Sequence, residues 1–172
     1  MRYVVLSVAF ACLYGVVHDQ ITARICIEYF TVWHNYELVP STDPTVVGLA
    51  WGIFATWWMG LLLGIPLALV CLVGKTPPLP LQRLVGPLLL LFTVMSLGAL
   101  AAGAIGYYLA PRDIAGLAGY RGDNRREFLA CLFAHNASYS LGLVGGVTVI
   151  VAAAVRRRWS ARELVADTAD GQ

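Results

Sequence analysis

The stretch that decides the fold runs from Val46 to Gly74 and reads VVGLAWGIFATWWMGLLLGIPLALVCLVG. It contains no Asp, Glu, Lys or Arg, and the same is true of the stretch from Leu84 to Ala110. A helix needs about 20 consecutive apolar residues to cross a membrane, whereas the core elements of soluble domains are shorter and bounded by polar residues. These two stretches therefore predict membrane-spanning helices.

The overall composition supports the same class of protein. Of the 172 residues, 59% are apolar and 13% are charged, against about a quarter charged in a typical soluble domain. This excludes a soluble globular domain, a disordered chain and a coiled coil. The net charge of +2 predicts no nucleic-acid partner. The cysteines lie singly in apolar segments, which argues against a disulfide framework; they are Cys12, Cys26, Cys71 and Cys131.

Two more spans are predicted at the ends of the chain. The first is interpreted as a retained span, not a cleaved signal peptide, because no A-x-A-like cleavage site follows its apolar run. The expected fold is an all-α transmembrane four-helix bundle over residues 1–155, followed by a basic stop and a polar cytoplasmic tail over 156–172. The predicted spans are about 3–22, with the helix extended to 33, and then 45–73, 84–110 and 127–155.

The basic residues beside the spans predict the orientation of the chain. One side carries seven of them: Arg2, Lys75, Arg83, Arg156, Arg157, Arg158 and Arg162. The other side carries five: Arg24, Arg112, Arg121, Arg125 and Arg126. We therefore expect both termini in the cytoplasm.

Ionisable groups inside spans are costly, at roughly 2.5–3.5 kcal/mol each at a helix centre, so each one suggests a function. His18 and Asp19 lie near the end of the first span, and Glu127, Cys131 and His135 follow one another at four-residue intervals at the start of the fourth. At ~1.5 Å per residue the two groups reach similar depths on the outer side of the membrane. They are therefore expected to meet in the outer half of the bundle.

Imidazole, thiolate and carboxylate groups are the common ligands of transition metals. The candidate metal ligands are His18, Asp19, Cys131, His135 and Glu127. His18 and His135, on antiparallel helices, could alternatively ligate one haem b from both faces. Arg24 and Glu28 are four residues apart and are predicted to form a structural ion pair on the extended first helix.

Other functions remain open from the same residues. The polar side chains could serve only hydrogen bonding between helices in a non-catalytic accessory or assembly subunit. They could instead form the path of a proton-coupled small-solute transporter. Small residues at four-residue spacing suit contacts within the bundle, a homo-oligomer or a larger membrane complex; the pairs are Gly60 with Gly64, Ala102 with Gly106, and Gly142 with Gly146. No familiar enzyme motif is present, so enzymatic activity is left undecided.

The stretch from Tyr14 to Arg24, YGVVHDQITAR, continuing through Glu28 to Phe30, resembles a segment of uncharacterised bacterial four-span membrane proteins. The resemblance implies a bacterial inner-membrane setting in contact with the lipid bilayer. It implies no activity.

Overall fold

The computed structural model of the chain describes residues 1–34, 36–74, 76–110, 120 and 122–170, and for residue 36 and residues 160–170 it describes the backbone alone. Every regular element in these ranges is helical, as predicted. The elements are α1 (Arg2–Ile25), α2 (Glu28–Thr31), a 3₁₀ turn (Tyr36–Leu38), α3 (Pro44–Phe54), α4 (Trp57–Leu72), α5 (Gln82–Leu109) and α6 (Arg125–Asp170).

Four helical segments of the described chain are long and apolar enough to cross a membrane. They are Arg2–Ile25, Pro44–Leu72, Gln82–Leu109 and Arg125–Trp159, which confirms the prediction of four spans. Of the charged residues used for the orientation, Lys75, Arg112 and Arg121 lie outside the described residues, and Arg162 is described only by its backbone.

The helix of the first span is shorter than predicted. It ends at Ile25 because Cys26 adopts an extended conformation, with φ −152° and ψ 96°, and a separate short helix, α2, starts at Glu28. The predicted continuous helix to residue 33 is therefore interrupted. The break turns Tyr29 and Phe30 inward, where both are buried against α6 and α3. Burial of two aromatic rings provides the driving force for the turn.

The second span is also interrupted, between α3 and α4 at Ala55–Thr56. Pro66 lies within α4. At the break, the Thr56 hydroxyl donates a hydrogen bond to the Gly52 carbonyl, and the Tyr139 hydroxyl of α6 donates to the Ala55 carbonyl at 3.4 Å. These bonds provide hydrogen-bonding partners for backbone carbonyls at the break, which lipid chains could not provide.

The helices pack as two pairs. The most extensive contacts join α1 to α3 and α4, and α5 to α6. The backbones of α1 and α3 approach closely at Gly15, Gly48 and Gly52. A Cβ atom added at any of these glycines would overlap the backbone of the facing helix. The two pairs meet mainly through α4 and α6, whereas α1 and α5 touch only sparsely.

Arg157 anchors the end of α4. Its buried guanidinium donates hydrogen bonds to the carbonyls of Val70, Leu72, Val73, Thr76 and Pro77. The last carbonyls of a helix have no partner within it, so this single side chain replaces several missing bonds. The Tyr3 hydroxyl adds a bond to the Leu79 carbonyl at 2.8 Å in the same region.

Candidate metal centre

Three of the predicted site residues meet where α1 crosses α6. The two helices run antiparallel, as successive contacts show: Tyr14 with Ser138, Asp19 with His135, and Thr22 with Cys131. His18 and Asp19 are consecutive on α1, so their side chains leave the helix about 100° apart. The imidazole of His135 lies between them.

The ring of His135 contacts both neighbours. Its Nε2 is 3.1 Å from the Asp19 Oδ1, and its Nδ1 is 3.4 Å from the His18 Nε2. One ligand atom from each of the three residues lies within 4.8 Å of the other two. Asp19 is 4% exposed and His135 is 9% exposed, so both side chains are buried inside the protein.

Both ring nitrogens of His135 have hydrogen-bonding partners. Its Nδ1 is 2.9 Å from the Cys131 carbonyl oxygen, which can accept a hydrogen from it, and 3.4 Å from the His18 Nε2, which can donate one to it. Its Nε2 faces the Asp19 oxygen, and that contact needs a hydrogen on either the ring or the carboxyl group. Asp19 and His135 therefore share one exchangeable proton, which a metal ion would displace.

Aromatic side chains enclose the cluster. The ring of Tyr29 lies over His135 with centroids 4.4 Å apart, and Tyr14 stacks on His18 at 5.7 Å. Burial raises the pKa of the Tyr29 phenol, which therefore stays protonated at neutral pH. Sequence analysis missed Tyr29, because the helix break that turns it inward has no Gly or Pro to signal it.

Two predicted ligands do not join the cluster. The Cys131 thiol points toward the Thr22 carbonyl, at 3.9 Å, and it is the backbone carbonyl of Cys131 that contacts His135. Glu127 lies two turns nearer the start of α6 and is half-buried there. Among the described residues, the group that could hold one ion comprises His18, Asp19 and His135.

The predicted pairing of Arg24 with Glu28 is replaced by other contacts. The Arg24 guanidinium donates to the Gln20 side chain at 2.6 Å and to the Thr45 hydroxyl at 2.9 Å. Glu28 accepts from the Cys26 thiol at 3.5 Å. The two charged residues do not share a helix because α1 ends at Ile25, so the four-residue geometry assumed for the pair does not arise.

Two more candidate groups are accounted for by their local contacts. Burial raises the pKa of the Cys26 thiol to about 11, so the thiolate form that binds metals is scarce at neutral pH. His34 has its Nδ1 2.8 Å from the Tyr29 carbonyl and its ring 5.0 Å from that of Trp51. It lies outside the group that could hold one ion.

The separation of the two imidazoles in the cluster bears on the haem hypothesis. The rings of His18 and His135 are in edge contact, with centroids 4.5 Å apart. A haem b ligated from both faces would place its iron and macrocycle between these rings, so the two helices would have to separate. A single metal ion needs a much smaller adjustment, since metal–nitrogen and metal–oxygen bonds measure about 2.0–2.2 Å.

Comparisons of the chain with protein-family models, with curated proteins and with solved structures found no match. The function is therefore argued from the site itself.

Proposed function

We propose that this is an integral protein of the bacterial inner membrane that binds a divalent transition-metal ion through His18, Asp19 and His135. The observation that carries the proposal is the convergence of two imidazoles and one carboxylate, from two helices, with their ligand atoms within 4.8 Å of one another. Ionisable groups at membrane depth are rare unless they are paired or functional.

The ligand set indicates the class of metal. Two imidazoles and one carboxylate suit borderline ions such as Zn²⁺ and Fe²⁺, whereas soft ions such as Cu⁺ favour sulfur ligands. The Cys131 thiol lies outside the set. Three protein ligands leave a fourth position of a tetrahedral ion for water or a substrate, which is the arrangement of catalytic zinc sites rather than closed structural ones.

The metal proposal is tested on protein purified in detergent, loaded with Zn²⁺ and freed of excess ion. We expect metal to copurify with the wild type and to be lost in His135→Ala and in Asp19→Asn. His34→Ala and Cys131→Ala are the matched controls, because His34 and the Cys131 thiol lie outside the ligand group; both variants should retain metal. Thermal unfolding of each variant shows whether it is folded.

The outcome separates metal binding from the alternatives. A folded wild type that takes up no Zn²⁺ and no Fe²⁺ would contradict the proposal and favour the accessory-subunit role. Retention of metal by His135→Ala would contradict the ligand assignment alone.

A second candidate function, proton-coupled transport of a small solute, is supported by the exchangeable proton between Asp19 and His135 and by the interrupted span beside them. Irregular backbone at membrane depth is tolerated where it is buried or lines a cavity, and broken spans form the binding sites of many transporters. This function predicts proton uptake by vesicles containing the protein, in the absence of transition metals, and its loss in Asp19→Asn.

A further inference from the structure

A cavity of about 120 Å³ lies between the α1–α4 pair and the α5–α6 pair. Along α1 it is lined from Ser7 to Asp19, which corresponds to about 18 Å at ~1.5 Å per residue. Its volume approaches the ~150 Å³ of an engineered apolar cavity that stays dry and admits benzene. The volume therefore suits one short alkyl chain of about six carbons, the number in benzene.

The chemistry of the lining is different at the two ends. Most of the length is apolar, with side chains from all four spans, among them Phe10, Leu67, Leu88, Leu91 and Val149. One end of the cavity is polar. It is lined by His18, Asp19 and His135, together with Tyr14 and Ser138. Such a space is complementary to an amphiphile, with its chain along the apolar part and its head group at the metal-centre end.

The hydrogen bonds at the polar end indicate which head group is accepted. Ser138 donates its hydroxyl proton to the Ala134 carbonyl at 2.9 Å, so in the 2.7 Å contact between the two hydroxyls Tyr14 is the donor. The Tyr14 oxygen is left with acceptor capacity. An uncharged hydroxyl head group can donate to the Tyr14 oxygen.

One side of the cavity, between α1 and α5, is closed by few contacts. The helices α1 and α5 flank it but touch only sparsely, and the edge-to-face contact of Tyr14 with Phe92, at 5.2 Å, is one of the few links between them. In a bilayer this seam faces lipid chains. An occupant would therefore come from the lipid phase.

We infer that the cavity binds a single-chain amphiphile with an uncharged hydroxyl head, which lies against Tyr14 with its chain directed toward Leu67 and Val149. This site does not depend on a bound metal. A short-chain alcohol of about six carbons represents the ligand chemistry.

The inference is tested with a primary alcohol of about six carbons that carries a photoreactive group in its chain, added to the full-length protein in detergent. We expect cross-links to peptides of α1 and α5 that line the cavity. Unlabelled alcohol should suppress these cross-links more strongly than the alkane of the same chain length. Leu91→Trp should fill the space and lower labelling about tenfold, which corresponds to ~1.4 kcal/mol of binding free energy.

The matched control is Leu90→Trp, on the next residue of α5, because Leu90 is 66% exposed on the outside of the protein and its replacement should leave labelling unchanged. If Leu91→Trp does not fold, Met59→Phe fills the cavity from the opposite wall. Tyr14→Phe should retain labelling but reduce the preference for alcohol over alkane. Equal labelling of a folded cavity-filling variant and Leu90→Trp would overturn the inference. Persistence of labelling in His135→Ala would separate this site from the metal proposal.

Discussion

His135 shows how one residue can connect two helices at membrane depth. Its two ring nitrogens face opposite ways, one toward His18 and the Cys131 carbonyl and the other toward Asp19. Because the Cys131 carbonyl belongs to the preceding turn of the same helix, the backbone of α6 itself orients the ring. The nitrogen that faces Asp19, Nε2, is therefore the one through which the ring could bind an ion.

At the residue scale, Asp43 predicts a pH-dependent stability. Its Oδ1 accepts the backbone N–H groups of Val46 and Thr45 at the start of α3, and these bonds lower the pKa of the carboxyl group below its ordinary value. A group with a lowered pKa in the folded state contributes stability above its unfolded pKa and loses it as the pH falls through the folded value. The contribution of Asp43 should therefore disappear in acid.

The measurement is thermal unfolding in detergent between neutral pH and strongly acidic pH, for the wild type and Asp43→Asn. The asparagine keeps an oxygen acceptor for the cap but does not titrate. We expect the wild type to lose stability relative to the variant as the pH falls below ~4. Parallel pH profiles of the two proteins would contradict the assignment.

At the scale of the element, Arg157 ties the last helix to the end of α4. Arg157→Met should leave buried carbonyls without donors, at ~1–3 kcal/mol for each such group, and lower the thermal stability accordingly. Arg158→Met is the control, because the Arg158 side chain is exposed whereas Arg157 is only 5% exposed. If the two variants lose the same stability, the loss reflects only the removed charge, and the capping role is wrong.

The close approach of α1 and α3 is a second property of the elements that bears on the site. A Cβ on Gly52 would lie 2.5 Å from the Val16 Cα, whereas a Cβ on Gly86 of α5 would meet nothing within 4 Å. Gly52→Ala should therefore push α1 aside, destabilise the fold and reduce metal retention, because His18 and Asp19 move with that helix. Gly86→Ala should be tolerated. Equal metal content and stability in both variants would contradict this coupling.

The elements also show what the sequence can and cannot predict. The four spans follow from charge-free apolar length, which depends on composition alone. The similar membrane depths of the ionisable residues predicted that His18, Asp19 and His135 lie close together, and the structure confirms this. Cys131 was expected to join them because it shares a helical face with His135, but a common face does not determine where a side chain points. The breaks at Cys26 and Ala55–Thr56 are set by tertiary packing, of which local sequence holds no sign.

At the scale of the whole molecule, the ends of the spans separate the basic residues into two groups. Contacts of Tyr3 with Leu79 and of Arg157 with Pro77 place the start of α1, the α4–α5 turn and the basic stop at one end. At the opposite end, Asn124 lies near Cys26, and Arg125 bonds the Ala110 carbonyl. The first end carries the triple arginine, Arg156 to Arg158, so the positive-inside rule predicts that it faces the cytoplasm.

Reporter fusions in a bacterial host test this orientation. A fluorescent protein fused after the C-terminus should be bright, and alkaline phosphatase fused there should be inactive, since that enzyme needs the oxidising periplasm. Phosphatase inserted after Tyr120, between α5 and α6, should be active. The reverse pattern would place the metal centre in the cytoplasmic half of the membrane, because His18, Asp19 and His135 lie nearer the end marked by Ile25 and Arg125. The expected pattern would place the cluster in the periplasmic half.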